Sequence, residues 1–360
     1  MVKAKCRKSF LLMLILALVV MIMSGCSSNA GSGKKSTKEL NLVVWTEYLP
    51  QSVVNGFEKK YGIKINQTTY DDPSAMASKV QSAAKGTYDM LIGPGLYIQV
   101  FNKLGLLSKL NKDQIPNMKY LNKRYLNQAF DKKNEYGLPY QGASLAIAVN
   151  RAKIKDKIET YQDLLNPKYK NQMVTVNDSR GLVGVGLMAN GYGLNDTSDK
   201  ALAAASDYLK KLRPNIKVFD GTSPKTEMLN GETNIGLIYG AEIALAMEKD
   251  KNIQVIYPKK DGIYFGTDMM MKFAGGKNSA NVEKFINYIC DPKVSAKISK
   301  VFPYVNPNEG AVKLLPASYR NNPAKNIPDS VAKRAEPLLD IGKDTTKVQK
   351  IWDAFKAGYK

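Results

Sequence analysis

The stretch Leu40–Ile65, LNLVVWTEYLPQSVVNGFEKKYGIKI, decides the fold. Its first six residues form an apolar run that reads as a short buried strand. Val53, Val54, Phe57 and Tyr61 then recur at helical spacing, and Gly62 follows as a stop. IKINQTTY (63–70) alternates as a second strand. Asp72 is placed to cap a further helix, with Pro73 in its first position and Met76 and Val80 along it. Gly86 ends that helix, and YDMLIG (88–93) is a third buried strand. This β-α-β-α-β order predicts an α/β fold with a parallel, doubly wound sheet.

A second region of the same kind follows YGLPYQGASLAIAVN (136–150). Its strand candidates are QMVTVN (172–177), IKVF (216–219) and NIGLIY (234–239), separated by helical ALAAASDYLKKLRP (201–214) and PKTEMLNG (224–231). Two sheets with a crossing between them make a cleft. In open α/β sheets ligands collect beyond the carboxyl ends of strands. Trp45, Glu47 and Tyr48 stand at such an end; so do Tyr97 after LIGPGL, Asp178 after VTVN, and Tyr239 and Glu242 in IGLIYGAE. Aromatic plus acid is the repeated combination, which suits a cationic, partly apolar guest.

The N-terminus reads as an export signal. Lys3, Lys5, Arg7 and Lys8 precede an apolar run from Phe10 to Met23, then MSGCSS. About 14 apolar residues are too few to cross a hydrocarbon core of about 30 Å at about 1.5 Å per residue. Ser24 and Gly25 directly before Cys26 resemble a bacterial lipobox, although Met23 departs from its usual leucine. The expected arrangement is therefore a lipoprotein signal peptide over 1–25 and a flexible Gly/Ser/Lys-rich tether over 26–38. Cys26 is then the lipidated first residue, on the extracytoplasmic face of the cell membrane. Roughly 320 residues remain, enough for two domains.

Composition excludes several classes. Histidine is absent, which removes serine-histidine and cysteine-histidine catalysis and the commonest metal ligand. GLVGVG (181–186) has neither dinucleotide nor P-loop spacing. A binding protein is expected rather than an enzyme, without cofactor or metal. Loss of the four basic residues of the signal lowers the formal charge of +21 to +17. With no basic stripe interleaved with stacking aromatics, a general lysine coat is expected and no nucleic-acid partner. Of three cysteines only Cys290 stays in the fold, as a core thiol in EKFINYICDP, so no internal disulfide is expected.

WTEYLP, GFEKKYGIKI, TTYDD, YDMLIGPGLY, YGLPYQGASLAIAVN, KLRPNIKVF, NGETNIGLIYGAE, PKKDGIYFGTDM and FPYVNPNEGA resemble, in order, segments of the spermidine/putrescine-binding proteins of bacterial ABC importers. The resemblance covers nearly all of the mature chain. It implies a two-lobe periplasmic-binding-protein fold of the type II kind, closing on a polyamine and docking on a membrane permease as a monomer. It also implies discontinuous lobes, 39–142 with 267–312 and 143–266 with 313–360, crossing near Gly142 and Gly266. It makes Trp45 and Tyr48 lobe-one walls, with Thr46 and Glu47 as polar contacts. Asp178 meets an amine from lobe two, and Tyr239 stands where the family has tryptophan. Glu242 falls at the acid of W-x-G-D, Asp268 at the acid near the crossing, and Tyr304 at a cleft tyrosine. One wall falls on Leu96 or Tyr97, another on Phe265 or Gly266. Two polar partners are missing, because Gly181 stands where a second acid is common and Leu338 where a glutamine is.

Plain structural roles compete with these. Trp45 and Tyr48 suit a strand-end core, and Glu47 a surface turn. Asp178 suits a helix cap, Glu242 a first-turn acid favoured by the helix dipole, Tyr264 and Phe265, either a candidate wall, a hinge strand, and Met269–Met271 strand core. The alternative functions are a receptor for another small cation or amino compound, such as a monoamine, an amino acid or a thiamine-like cation, and an adhesin or sensor subunit.

Overall fold

A computed structural model describes residues 38–358. Its first strand, β1 (Glu39–Trp45), buries Leu40, Leu42, Val43 and Val44 on both faces, as a central strand of a parallel sheet must. On one edge it pairs in parallel with β2 (Lys64–Tyr70), and on the other with β3 (Met90–Pro94). The connecting helices are Gln51–Tyr61 and Pro73–Ser82. Gly62 closes the first at φ 65°, a left-handed angle that glycine adopts without a Cβ penalty. Asp72 caps the second by accepting from the Ala75 amide at 2.8 Å. Val53, Val54 and Phe57 turn inward from the first helix. Full burial of Phe57 alone contributes about 2–3 kcal/mol.

β4 (Gly137–Asn150) is fourteen residues long and almost wholly buried. Its second half pairs antiparallel with β7 (Ile235–Tyr239) and β8 (Ile253–Ile256). β7 lies parallel to β5 (Met173–Thr175), which lies parallel to β6 (Ile216–Phe219), so the expected second set of strands is present. β9 (Ile263–Lys272) runs antiparallel to both β3 and β4, and the short β10 (Ala335–Glu336) joins its start. The sheet order is β2-β1-β3-β9-β4-β7-β5-β6. The two parallel sets are thus joined edge to edge through β9 and β4, where the sequence suggests two separate sheets.

Met269, Met270 and Met271 are fully buried in β9. Cys290 is buried and free, and burial pushes its thiol up to about 12, so it is an inert core group. Among the described residues no helix is long and apolar enough to cross a membrane, and no cluster of His, Cys, Asp and Glu is arranged to hold a metal ion. The signal, the tether and Cys26 lie outside the described residues, save Lys38 at the tether's end.

Candidate ligand cleft

Strand β1 stops at Trp45 because the chain turns there. The Thr46 amide makes a last bond to the Tyr70 carbonyl at 2.8 Å, and Glu47 takes φ 51°. A non-glycine residue in the left-handed region costs about 1–2 kcal/mol. The turn sends Tyr48 back into the protein, where it is 4% exposed. Its ring meets Tyr140 and Tyr304 edge-on at centroid distances of 5.1 and 5.0 Å. Trp45 leans on Tyr70 at 4.5 Å. Glu47 itself is exposed at the rim.

These residues face a cavity with about 60 Å³ open to water, room for roughly four to six ordered waters. Asp268 enters it from β9, opposite Pro94 of β3. The Tyr48 hydroxyl and the Trp45 indole stand near enough to its carboxylate to favour the charged form. Burial outweighs them and lifts the carboxyl to about 7, with the charge of Asp178 adding to the rise.

Asp178 comes from the opposite side. Its Oδ1 caps the helix Ser179–Ala189 by accepting from the Gly181 amide at 3.1 Å. Its Oδ2 accepts from the Tyr239 hydroxyl at 2.6 Å. Burial raises its carboxyl too, against both bonds. The cap and the cavity acid are therefore one side chain. Gly181 leaves it room, since a Cβ there would stand 2.7 Å from Asp178 Oδ2.

Glu242 lies in the first turn of the helix Gly240–Lys249 and lines the cavity. The Lys225 ammonium, from the short helix Lys225–Leu229, pairs with its Oε2 at 2.9 Å. Burial raises the Glu242 carboxyl, and Lys225 opposes the rise. Tyr97 and Leu96 both line the cavity, and Tyr97 donates to the Pro73 carbonyl at 2.8 Å. Trp45, Thr46, Glu47, Tyr48, Tyr239 and Tyr304 line it as well.

Phe265 does not reach the cavity, which corrects the sequence expectation for that wall. Successive strand residues point to opposite faces. In β9 the cavity face carries Tyr264, Gly266 and Asp268, while Phe265 packs toward Tyr125 at 6.1 Å and toward Ile263, Val305, Ile327 and Val331. At Gly266 the missing side chain is replaced by a neighbour: a Cβ would meet the Tyr264 hydroxyl at 2.7 Å, so the Tyr264 ring covers that position.

Tyr264, which the sequence offered beside Phe265 as a candidate wall, lines the cavity. Three groups escape the sequence reading, of which Arg180 was findable from its place in the first helical turn after Asp178. Arg180 is half-buried and lines the cavity while its guanidinium donates to the Leu339 carbonyl at 3.2 Å and to Asn195 Oδ1 at 3.0 Å. Ser74 and Thr222 also line it, without a sequence signal. Four carboxylates and one guanidinium therefore surround an aromatic slot.

A cleft beyond the carboxyl ends of strands, walled by rings and free of catalytic histidine, defines a receptor for a small solute. The chain belongs to the bacterial extracellular solute-binding proteins, whose family model matches residues 52–327. More particularly, it is 30% identical over 315 residues to the spermidine/putrescine-binding periplasmic protein of Escherichia coli (strain K12), covering 87% of this chain and 90% of that one. A putrescine-binding periplasmic protein of the same strain is 26% identical over 355 residues, at 92% and 94% coverage. The solved structure of a putative spermidine/putrescine ABC transporter protein from Listeria monocytogenes superimposes with a TM-score of 0.86 at 29% identity, over 90% of this chain and all of that one. The fold is the two-lobe periplasmic-binding-protein fold, and the protein is an extracytoplasmic solute-binding protein of the ABC-transporter type.

Proposed function

We propose that the cleft captures a polyamine of the putrescine or spermidine class and delivers it to an ABC permease, making and breaking no bond. The observation that carries this reading is that Glu47, Asp178, Glu242 and Asp268 line one cavity together with a set of aromatic rings. Asp268 feels the charge of Asp178, Glu242 feels that of Glu47, and Tyr304 senses Asp268 together with Glu47 and Glu242, which sorts the acids into an inner and an outer pair. Each pair suits one ammonium, and the tyrosine and tryptophan faces suit the methylenes between. A ring face attracts a cation by about 0.5–2 kcal/mol. A carboxylate must still neutralise the charge, since an unpaired ion out of water costs several kcal/mol. The named binding functions of the relatives support the same ligand class.

The site assignment under this reading is Trp45, Tyr48, Tyr97, Tyr239, Tyr264 and Tyr304 as walls, Asp178 and Asp268 as the inner acids, and Glu47 and Glu242 as the outer ones, with Thr46 beside them. The lobes are 39–142 with 267–312 and 143–266 with 313–360, bending where β4 and β9 pass Gly142 and Gly266. The mature chain is a monomer, tethered to the membrane through lipidated Cys26 after removal of residues 1–25. It is a carrier, not an enzyme.

Titration calorimetry against a polyamine panel tests the reading. Saturable binding of putrescine or spermidine is expected; silence with every amine, and binding of a sugar or peptide instead, overturns it. A second reading, an amino acid or other single cation with an acidic group, is favoured by Arg180 on the cavity wall and by Leu338 in place of glutamine. The same panel separates the two.

A further inference from the structure

Lys225 is a charged side chain beside the cleft whose role the ligand reading leaves open. Its ammonium sits 2.9 Å from Glu242 Oε2, with the two side chains only 19% and 10% exposed, and it also donates to Ser223 Oγ at 2.7 Å. Glu242 faces the cavity and Lys225 stands behind it. Chemically, Lys225 is a primary alkylammonium on a methylene chain, the same group that ends a polyamine. It already holds the acid that a ligand's outer ammonium would seek.

We propose that Lys225 is an internal ammonium that competes with the second charge of the ligand and so weakens the preference of this cleft for diamines over monoamines. The inference rests on the polyamine reading above. Three points carry it. The empty cleft could not keep the buried Glu242 charged without a partner, and Lys225 supplies one. Among the described residues the inner pair, Asp178 with Asp268, has no ion-paired lysine; the Arg180 guanidinium acts on Asp178 only through its charge, its donors being taken by the Leu339 carbonyl and Asn195 Oδ1. At the outer pair only exposed Glu47 is left without that competition, so a second ammonium gains little unless it displaces Lys225. Specificity is a difference of two affinities, and an internal competitor lowers one of them.

The test compares 1,4-diaminobutane with butylamine by calorimetry on the wild type and on Lys225→Met. The variant frees Glu242 while keeping the stem. The expected result is a diamine-to-monoamine affinity ratio at least about tenfold higher in the variant. The empty variant should melt lower than the wild type and regain more on adding the diamine than on adding the monoamine. A gain in ratio smaller than tenfold overturns the proposal. Should Lys225→Met not fold, the resonance of the Lys225 ε-methylene in the wild type decides: it should move with the diamine and stay with the monoamine. Equal response to both overturns the role of Lys225. A wild type that binds neither amine overturns the polyamine reading instead.

Discussion

The Tyr239 hydroxyl donates to Asp178 Oδ2 at 2.6 Å while the other oxygen of that carboxylate caps a helix. The acid is thereby fixed in place before any ligand arrives, and its capping and charge can be separated by mutation. Asparagine caps a helix about as well as aspartate does. Asp178→Asn should therefore fold with near wild-type melting and lose polyamine affinity by roughly 30- to 1000-fold, about 2–4 kcal/mol. Calorimetry with a parallel thermal melt checks both halves.

The raised carboxyl of Asp268 makes binding pH-dependent. In the empty protein this group holds a proton up to about 7, and an ammonium ligand needs the ionised form. Affinity should rise by up to about tenfold per pH unit below 7 and level off above it. The stability sign is opposite for the empty protein. A folded value raised above the unfolded one contributes stability that is full below about 4 and lost as pH climbs through about 7. Melting curves with and without ligand from about pH 5 to 8.5 should diverge upward. Asp268→Asn should flatten that divergence.

Tyr48→Phe removes a hydroxyl that favours the charged form of Asp268 while leaving the ring contacts with Tyr140 and Tyr304. Its loss should shift the pH midpoint of binding to higher pH. At pH 7 affinity should fall about three- to tenfold. An unshifted midpoint would show that the hydroxyl points elsewhere in solution.

Gly181→Ala should weaken binding despite improving the helix. Alanine inside a helix is ordinarily favoured by about 1 kcal/mol. Here its Cβ would press on Asp178 Oδ2 at 2.7 Å and on Leu145 at 3.3 Å. The expected outcome is reduced amine affinity with Tm changed by only a few degrees, read by calorimetry and thermal melting.

Much of this was legible from residues because the signals were local. The alternating and helical periods around β1 gave the order of its three strands and two helices, although the second helix ends at Ser82, short of Gly86, and the third strand is Met90–Pro94 where the residues suggest 88–93. Strand-end aromatics and acids pointed to the cavity because a parallel sheet puts such ends on one side. What escaped depended on parity or on distance. At Phe265 a shift of one residue reverses the face. The Lys225 partnership joins residues seventeen apart in sequence through tertiary packing. The edge-to-edge joining of the strand sets required knowing which strands β9 would lie between.

Four consecutive residues after the last buried position of β1, Trp45 to Tyr48, contribute to the cavity lining. Selectivity can therefore drift by changes in one tetrapeptide at the lip of a strand whose interior neighbours, Leu42 to Val44, stay as they are. A scaffold arranged this way can exchange its cargo over evolutionary time without first losing its ability to fold.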